Sequence, residues 1–161
     1  MKTKSDFLEY LSDDCIGIQL GIGDGVETED ILLKNKLKYL YSVDPYENNR
    51  YDYKQALVKL DRFKDKHSIF KLNCFDVLDM FPRNFFNILF LNTSRTDVLQ
   101  SFLGKMKQDG ILIGDYIGEE KQFIDNFCRE YRLVLHVIGE IWFIKLDETN
   151  RFSKMMGILE L

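Results

Sequence analysis

Two groups of residues in the first third of the chain have the types and the spacing to hold a nucleoside. The first is the triplet Gly21, Gly23 and Gly25, which follows the apolar run 16–20. Glycine adopts positive φ without steric cost and lets a ligand approach the backbone closely. The second is Asp44, an acid that ends the next strand-like run and is placed to accept hydrogen bonds from ribose hydroxyls. Together they predict a nucleoside-containing cofactor over the first two strands of a parallel sheet.

The elements that must position these residues alternate along the chain. Strand-like apolar runs cover 16–20, 39–44, 69–72, 86–91, 111–115, 133–138 and 141–146. Helical spacing of apolar residues falls between most of them. Gly139 and Glu140 alone separate the last two runs, which is too short for a parallel crossover and predicts an antiparallel hairpin. The pattern predicts an α/β fold: a three-layer, Rossmann-like, doubly wound sheet that is mostly parallel with one antiparallel strand.

Length and charge limit the class of protein. The chain has 161 residues, which suits a single domain over 1–161 with a core at 16–146 and a C-terminal tail at 147–161. The net charge of −4, with both signs interspersed, argues against general nucleic-acid binding. The apolar residues of the tail either dock on the domain or form a partner surface, for example in a homodimer.

Cysteine usage and hydropathy predict the compartment. Cys15, Cys74 and Cys128 lie far apart and form no C-x-x-C pair, which favours reduced thiols in a cytoplasmic protein. No apolar run reaches the roughly 18 residues of a membrane helix, so no membrane partner is expected.

The ordered set of these motifs resembles the class I S-adenosylmethionine-dependent methyltransferases, and among them the small O-methyltransferase-like branch. The resemblance is carried by the glycine triplet, by Asp44-Pro45 at the end of strand two, by Asp76 after strand three and by the closing hairpin. It implies a sheet order of 3-2-1-4-5-7-6 and S-adenosylmethionine as the cofactor. It also implies a methyl transfer to a small-molecule acceptor, with an oxygen acceptor favoured.

The same resemblance implies a set of site residues. The cofactor-binding residues would be Gln19, Gly21, Gly23, Gly25, Asp44, Tyr46, Phe75, Asp76 and Asn92. Within this set Tyr46 would lie against the adenine, with Phe75 nearby, and Asp76 would accept a hydrogen bond from the adenine amino group. Asp76 could instead simply cap a short helix, and Asn92 could be a turn former. His67 is expected in a loop.

Departures from the family pattern affect the expected chemistry. Gln19 stands where an acid is usual, so it can accept a hydrogen bond but without charge-assisted strengthening. Asn92 and Tyr116 stand where metal-dependent relatives carry stronger ligands, so no metal site is expected. Asp115, at the end of strand five, is the first candidate for a general base, with Asn92 beside the transfer site.

Two other functions fit part of the sequence. A methyltransferase-like protein could bind the cofactor and lack activity, as the changes at Gln19 and Asn92 allow. A nicotinamide-dependent oxidoreductase shares the glycines and the ribose acid, but its fingerprint requires glycine where this chain has Val26, and the closing hairpin fits it poorly.

Overall fold

A computed structural model describes residues 3–93 and 97–148. Seven strands form one sheet in the order β3-β2-β1-β4-β5-β7-β6. The strands are β1 Cys15–Leu20, β2 Leu37–Val43, β3 His67–Phe70, β4 Phe86–Leu91, β5 Met106–Asp115, β6 His136–Ile138 and β7 Ile141–Lys145. The α-helices are α1 Val26–Leu33, α2 Arg50–Leu60, α3 Asp97–Phe102 and α4 Glu120–Tyr131. Two longer 3₁₀ helices cover Lys4–Tyr10 and Cys74–Met80.

The strand directions match the prediction. β1, β2, β3, β4 and β5 pair in parallel, whereas β7 is antiparallel to both β5 and β6. The predicted sheet order and the hairpin at Gly139 and Glu140 are therefore confirmed. The carboxyl ends of β1, β2, β4 and β5 meet at one edge, which is where ligands bind in open α/β sheets.

Both faces of the sheet are covered, as the apolar sequence of β4 indicates. Ile88 and Phe90 belong to the core on the side of α1, α2 and the N-terminal 3₁₀ helix. Leu89 and Leu91 belong to the core on the side of α3, α4 and the second 3₁₀ helix. Phe7, in the N-terminal helix, is only 3% exposed, so the packed core begins before residue 16.

Several strand boundaries differ from those expected. β5 begins at Met106, well before residue 111, because Phe86 pairs with Met106 while Ile88 pairs with Ile111. The intervening residues of β5 form an irregular bulge that apolar periodicity does not show. β6 has only three residues, His136–Ile138, and so begins later than the expected run 133–138.

Trp142 closes the sheet against β5. It pairs with Gly114 and is 2% exposed, so it lies in the core. A Cβ at Gly114 would lie 2.6 Å from the indole ring, so only glycine leaves room for it. This contact holds β7 against the strand that ends at Asp115.

No helix within residues 3–93 and 97–148 is long and apolar enough to cross a membrane. Residues 149–161 of the predicted tail lie outside the described residues. The proposed docking of the tail and the homodimer stay predictions.

Candidate active site at the carboxyl edge of the sheet

The glycine turn after β1 has the backbone that only glycine adopts easily. Gly21, Gly23 and Gly25 have φ of 98°, 58° and 88°. A Cβ at Gly21 would lie 2.9 Å from the Asn92 carbonyl oxygen, so the turn touches the end of β4. A Cβ at Gly23 would meet nothing within 4 Å, so this part of the turn lies open. The turn thus brings bare backbone to the edge of the sheet.

Asp44 organises this turn. Its Oδ2 accepts hydrogen bonds from the backbone N–H groups of Ile22 (2.9 Å) and Gly23 (3.1 Å). Its Oδ1 accepts one from the Tyr46 N–H at 2.9 Å. A carboxylate has about four lone-pair sites, so three bonds leave capacity for a further donor. Its binding to ribose stays a prediction, but its place beside the glycines is as the sequence implied.

The predicted contact of Tyr46 with an adenine stays a prediction, but the Tyr46 side chain is buried beneath the turn. Tyr46 is 5% exposed and has φ of 50°, which turns its ring into the core against Tyr53, with ring centroids 4.8 Å apart. Its hydroxyl donates to the Gly23 carbonyl at 2.8 Å. Burial, reinforced by the Asp44 carboxylate, raises the pKa of this phenol, which keeps it a hydrogen-bond donor. Tyr46 therefore stabilises the glycine turn from its buried side.

Gln19 also points away from the edge. It is fully buried in β1, where its Oε1 accepts hydrogen bonds from Thr28 Oγ1 (2.6 Å) and Ser42 Oγ (3.3 Å). Its Nε2 has no hydrogen-bond partner among the residues that the structure describes. His67 Nε2 lies 2.8 Å from Ser42 Oγ, so His67 belongs to this network and to β3 instead of a loop. The network anchors α1 to the sheet beneath the turn.

A cavity of about 240 Å³ lies beside the turn and is called the nucleoside pocket here. It is lined by Gly21, Val43, Asp44, Pro45, Asn73, Cys74, Asn92, Thr93 and Val98. Bare backbone, one carboxylate and neutral amides are groups that suit a nucleoside. Phe75 and Asp76 are exposed and do not belong to this lining.

The helix that carries Asp76 is capped by another residue. Asn73 Oδ1 accepts a hydrogen bond from the Phe75 N–H at 3.0 Å, so the capping role suggested for Asp76 falls to Asn73. Asn73 also lines the nucleoside pocket. The predicted contact between Asp76 and an adenine stays a prediction.

Next to this pocket, Lys4 connects the N-terminal 3₁₀ helix to α1 and to the carboxyl ends of β4 and β5. Its side chain is 7% exposed, and its Nζ donates to Asn92 Oδ1. The same Nζ pairs with Asp115 Oδ2 at 3.1 Å and Glu27 Oε2 at 3.0 Å. Asn92 Nδ2 in turn donates to the Gly21 carbonyl at 3.1 Å. The two predicted catalytic residues, Asn92 and Asp115, are therefore brought together by a lysine.

The surroundings of Asp115 are acidic. Burial raises the pKa of Glu120, the nearby Asp115 carboxylate raises it further, and Lys4 opposes both effects. Tyr116 donates its hydroxyl hydrogen bond to Asp125 at 2.8 Å, so its side chain is directed to α4. Asp115 keeps 41% of its side chain exposed and can contact a ligand.

A larger cavity of about 460 Å³, the acidic pocket, lies on the other side of Lys4. It is lined by Thr3, Lys4, Ser5, Val26, Glu27, Asp30, Asp115, Ile138, Gly139, Glu140 and Ile141. Four of these residues are acids and one is a lysine. Because Asn92 and Asp115 both bind Lys4, the acidic pocket and the nucleoside pocket adjoin at this side chain.

No group of three or more His, Cys, Asp and Glu side chains suited to a metal ion occurs within residues 3–93 and 97–148. The absence of a metal from the proposed reaction stays a prediction that chelation must test.

Sequence reasoning missed Lys4 and Glu27. Lys4 precedes Phe7 by three residues, so a helical reading of the N-terminal segment places both on one side. Since Phe7 packs on the sheet, that side faces inward. The spacing was a usable signal, but it does not reveal which strand end the lysine reaches.

Comparisons with known proteins agree on the fold. No family model and no curated protein sequence matches the chain. A methyltransferase from Streptococcus mutans, whose structure contains S-adenosylhomocysteine (SAH), is 16% identical, with a TM-score of 0.68 over 90% of this chain and 98% of that one. An rRNA methylase from Streptococcus thermophilus is 16% identical, with a TM-score of 0.66 over 88% of this chain and 92% of that one. A precorrin-6y C5,15-methyltransferase from Geobacter metallireducens is 12% identical, with a TM-score of 0.68 over 87% of this chain and 83% of that one. The chain has the Rossmann-like fold of these methyltransferases.

Proposed function

We propose that this protein is a class I S-adenosylmethionine-dependent methyltransferase acting on a small molecule. The observation that carries the proposal is the contact of Asp44 with the glycine turn beside the nucleoside pocket. This arrangement lies at the carboxyl edge of a sheet whose order is found in methyltransferases of the same fold. The S. mutans protein was crystallised with SAH, which supports the choice of cofactor.

The pocket residues divide the proposed binding task. Asp44 would accept hydrogen bonds from the ribose, while Pro45, Asn73 and Cys74 border the space left for the base. Asn92 also lines this pocket and contacts Lys4. Tyr46 and the buried network of Gln19 lie on the core side of the turn and stabilise its conformation.

The chemistry requires alignment more than activation. S-adenosylmethionine, when bound, supplies a methyl group that is already activated on a sulfonium. The chain must align the acceptor in line with that methyl and, for a hydroxyl, remove its proton. Asp115 is the proposed acceptor of that proton, since it lies at the end of β5 and is partly exposed.

A small acceptor fits the dimensions and charge of the site. The acidic pocket has about 460 Å³, within the range of small-molecule sites. Its carboxylates would repel the phosphates of a nucleic acid. Strand four is also not followed by the Asn/Asp-Pro-Pro-Tyr/Phe motif of amino-group methyltransferases that act on bases or glutamine, which argues against a nucleic-acid base as the acceptor.

Calorimetric titration of the full chain with SAH and with NAD tests the proposed function. We expect saturable binding of SAH and none of NAD at the same concentration. Binding of NAD without SAH would replace the proposal by the oxidoreductase reading.

Catalysis needs a separate test, because a cofactor-binding protein without activity would pass the titration. We expect the folded protein to form labelled SAH from labelled S-adenosylmethionine when small hydroxyl compounds are present. We also expect Asp115→Asn to reduce that rate at least tenfold when S-adenosylmethionine is saturating. Failure of any acceptor to stimulate product formation would favour the inactive binding protein.

A further inference from the structure

Lys4 has an unusual position for a lysine. Its ammonium has three donors, and all three meet acceptors: Asn92 Oδ1, Asp115 Oδ2 and Glu27 Oε2. The side chain is only 7% exposed. A residue near the start of the chain therefore fills the junction between the nucleoside pocket and the acidic pocket with a positive charge.

The surroundings favour a cation at this place whether or not it belongs to Lys4. Glu27, Asp115 and Glu120 face one lysine, so the formal charges leave an excess of negative charge. Glu27 Oε1 is buried and has no partner among the residues that the structure describes. A ligand carboxylate brought here would be repelled, whereas a ligand ammonium would find the same acceptors that now hold Lys4.

We propose that the acceptors around Lys4 form a subsite for a ligand's ammonium group, and that the Lys4 ammonium is a built-in competitor for it. The ammonium can come from the amino-acid end of the cofactor or from an amine-bearing acceptor. Binding requires Lys4 to withdraw toward solvent, which frees Asn92 Oδ1, Asp115 and Glu27 together. The inference rests on the proposed function, because it assumes that the nucleoside pocket holds the cofactor.

The competition has a calculable consequence. When only a fraction of the protein is competent to bind, the apparent dissociation constant rises by the inverse of that fraction. If Lys4 fills the subsite about 90% of the time, its removal tightens binding of an ammonium ligand about tenfold. The affinity for a ligand that lacks the ammonium should not change when Lys4 is removed.

Lys34, at the C-terminal end of α1, offers a matched control because it binds the 3₁₀ helix that carries Lys4. Its Nζ pairs with Asp6 Oδ1 at 3.0 Å and so ties the N-terminal 3₁₀ helix to α1, yet it is 46% exposed and lies outside the subsite. Lys34→Met loosens the helix without emptying the subsite. It separates competition by the ammonium from simple loosening of the helix.

The experiment is calorimetric titration of the full chain as wild type, Lys4→Met, Lys4→Gln and Lys34→Met. The ligands are SAH, 5′-methylthioadenosine, which lacks the amino-acid end, and 1,4-diaminobutane added to protein saturated with 5′-methylthioadenosine. We expect both Lys4 variants to bind one ammonium ligand about tenfold more tightly. Tighter SAH binding identifies the cofactor as the source, and tighter diamine binding identifies the acceptor. Affinity for 5′-methylthioadenosine should stay within twofold, and Lys34→Met should match wild type.

Three results overturn the inference alone: unchanged binding of both ammonium ligands, weaker SAH binding in the Lys4 variants, or equal tightening for 5′-methylthioadenosine. Weaker SAH binding would mean that Lys4 contacts the ligand's carboxylate directly. If the folded wild type and variants bind neither nucleoside, the proposed cofactor site falls, and the inference falls with it. The use of two neutral substitutions keeps the test open should one of them fail to fold.

Discussion

Asp44 has a structural role in the glycine turn, and the proposed function gives the same side chain a binding role. The sequence predicts that it binds the ribose hydroxyls of a cofactor. The structure gives it three backbone hydrogen bonds, to Ile22, Gly23 and Tyr46, and places it on the wall of the nucleoside pocket. The two roles share the same carboxylate, so a substitution must affect stability as well as binding.

For Asp44→Ala we expect the free energy of unfolding to fall by about 2 kcal/mol, since hydrogen bonds to a charged group are lost. SAH affinity should fall about ten- to a hundredfold, because 1.4 kcal/mol corresponds to about tenfold. Asp44→Asn should be milder in both respects, since its amide keeps one acceptor. Denaturant unfolding and calorimetry measure the two effects separately.

Asp24→Ala is the matched control for Asp44. Asp24 is an exposed acid in the same turn, and its Oδ1 accepts one hydrogen bond from the Val26 N–H at 3.1 Å. Its removal should cost about 1 kcal/mol of stability through the lost hydrogen bond and leave SAH affinity within threefold. Equal SAH affinity in Asp44→Ala and Asp24→Ala would remove Asp44 from the site.

At the scale of elements, the turn between β1 and α1 depends on its fit against β4. Gly21 and Gly23 both have positive φ, but they differ in what surrounds them. Gly21 touches the Asn92 carbonyl, while Gly23 is open. The first glycine is therefore required by packing and by conformation, and the second by conformation alone.

We expect Gly21→Ala to destabilise the protein more than Gly23→Ala. At Gly23 the cost is that of a left-handed alanine, about 1 kcal/mol. At Gly21 the new methyl must also push the end of β4 away, so the loss should exceed that value by about 1–3 kcal/mol. SAH affinity should fall in Gly21→Ala because Asn92 moves with the strand. Comparable unfolding free energies for the two variants would show that the contact with β4 is unimportant.

The order and direction of the strands and the bounds of β4 were predictable, whereas the starts of β5 and β6 were not. Alternating periodicities and the two-residue link at Gly139 and Glu140 are enough to define a mostly parallel sheet with one antiparallel strand. The start of β5 at Met106 depends on a bulge opposite Phe86, and bulges leave no periodic signal. The inward turn of Tyr46 depends on its positive φ, which its residue type did not suggest.

The contents of the site were only partly predictable for a related reason. Asn92 and Asp115 follow strands whose carboxyl ends share an edge, so their proximity could be foreseen. Lys4 reaches that edge from a helix distant in sequence, through contacts that require the folded core. Long-range packing of this kind is not written in local spacing.

For the whole molecule, the buried network of Gln19, Ser42 and His67 links stability to pH. His67 is 6% exposed, and burial lowers its pKa to about 4 from a usual 6.5. Between these values the unfolded chain binds more protons than the folded protein. The free energy of unfolding therefore falls as the pH drops from 6.5 toward 4, with no further loss from this group below 4.

We expect wild type to lose up to about 3 kcal/mol more stability than His67→Gln across this interval, since each pKa unit corresponds to about 1.4 kcal/mol. Denaturant unfolding at a series of pH values measures the difference. His136→Gln is the control for the loss of a histidine as such, because His136 lies partly exposed beside Glu148 and outside the buried network. Parallel stability curves for wild type and His67→Gln would contradict the assignment.

The contact between Trp142 and Gly114 has an optical consequence. The chain contains one tryptophan, and it lies 2% exposed against the strand position next to Asp115. All indole emission therefore originates from a single fluorophore at the border of the proposed transfer site. Loss of the β5–β7 pairing exposes that ring to water and shifts its emission to the red. Unfolding can thus be followed at this seam of the sheet without an added dye or a new label.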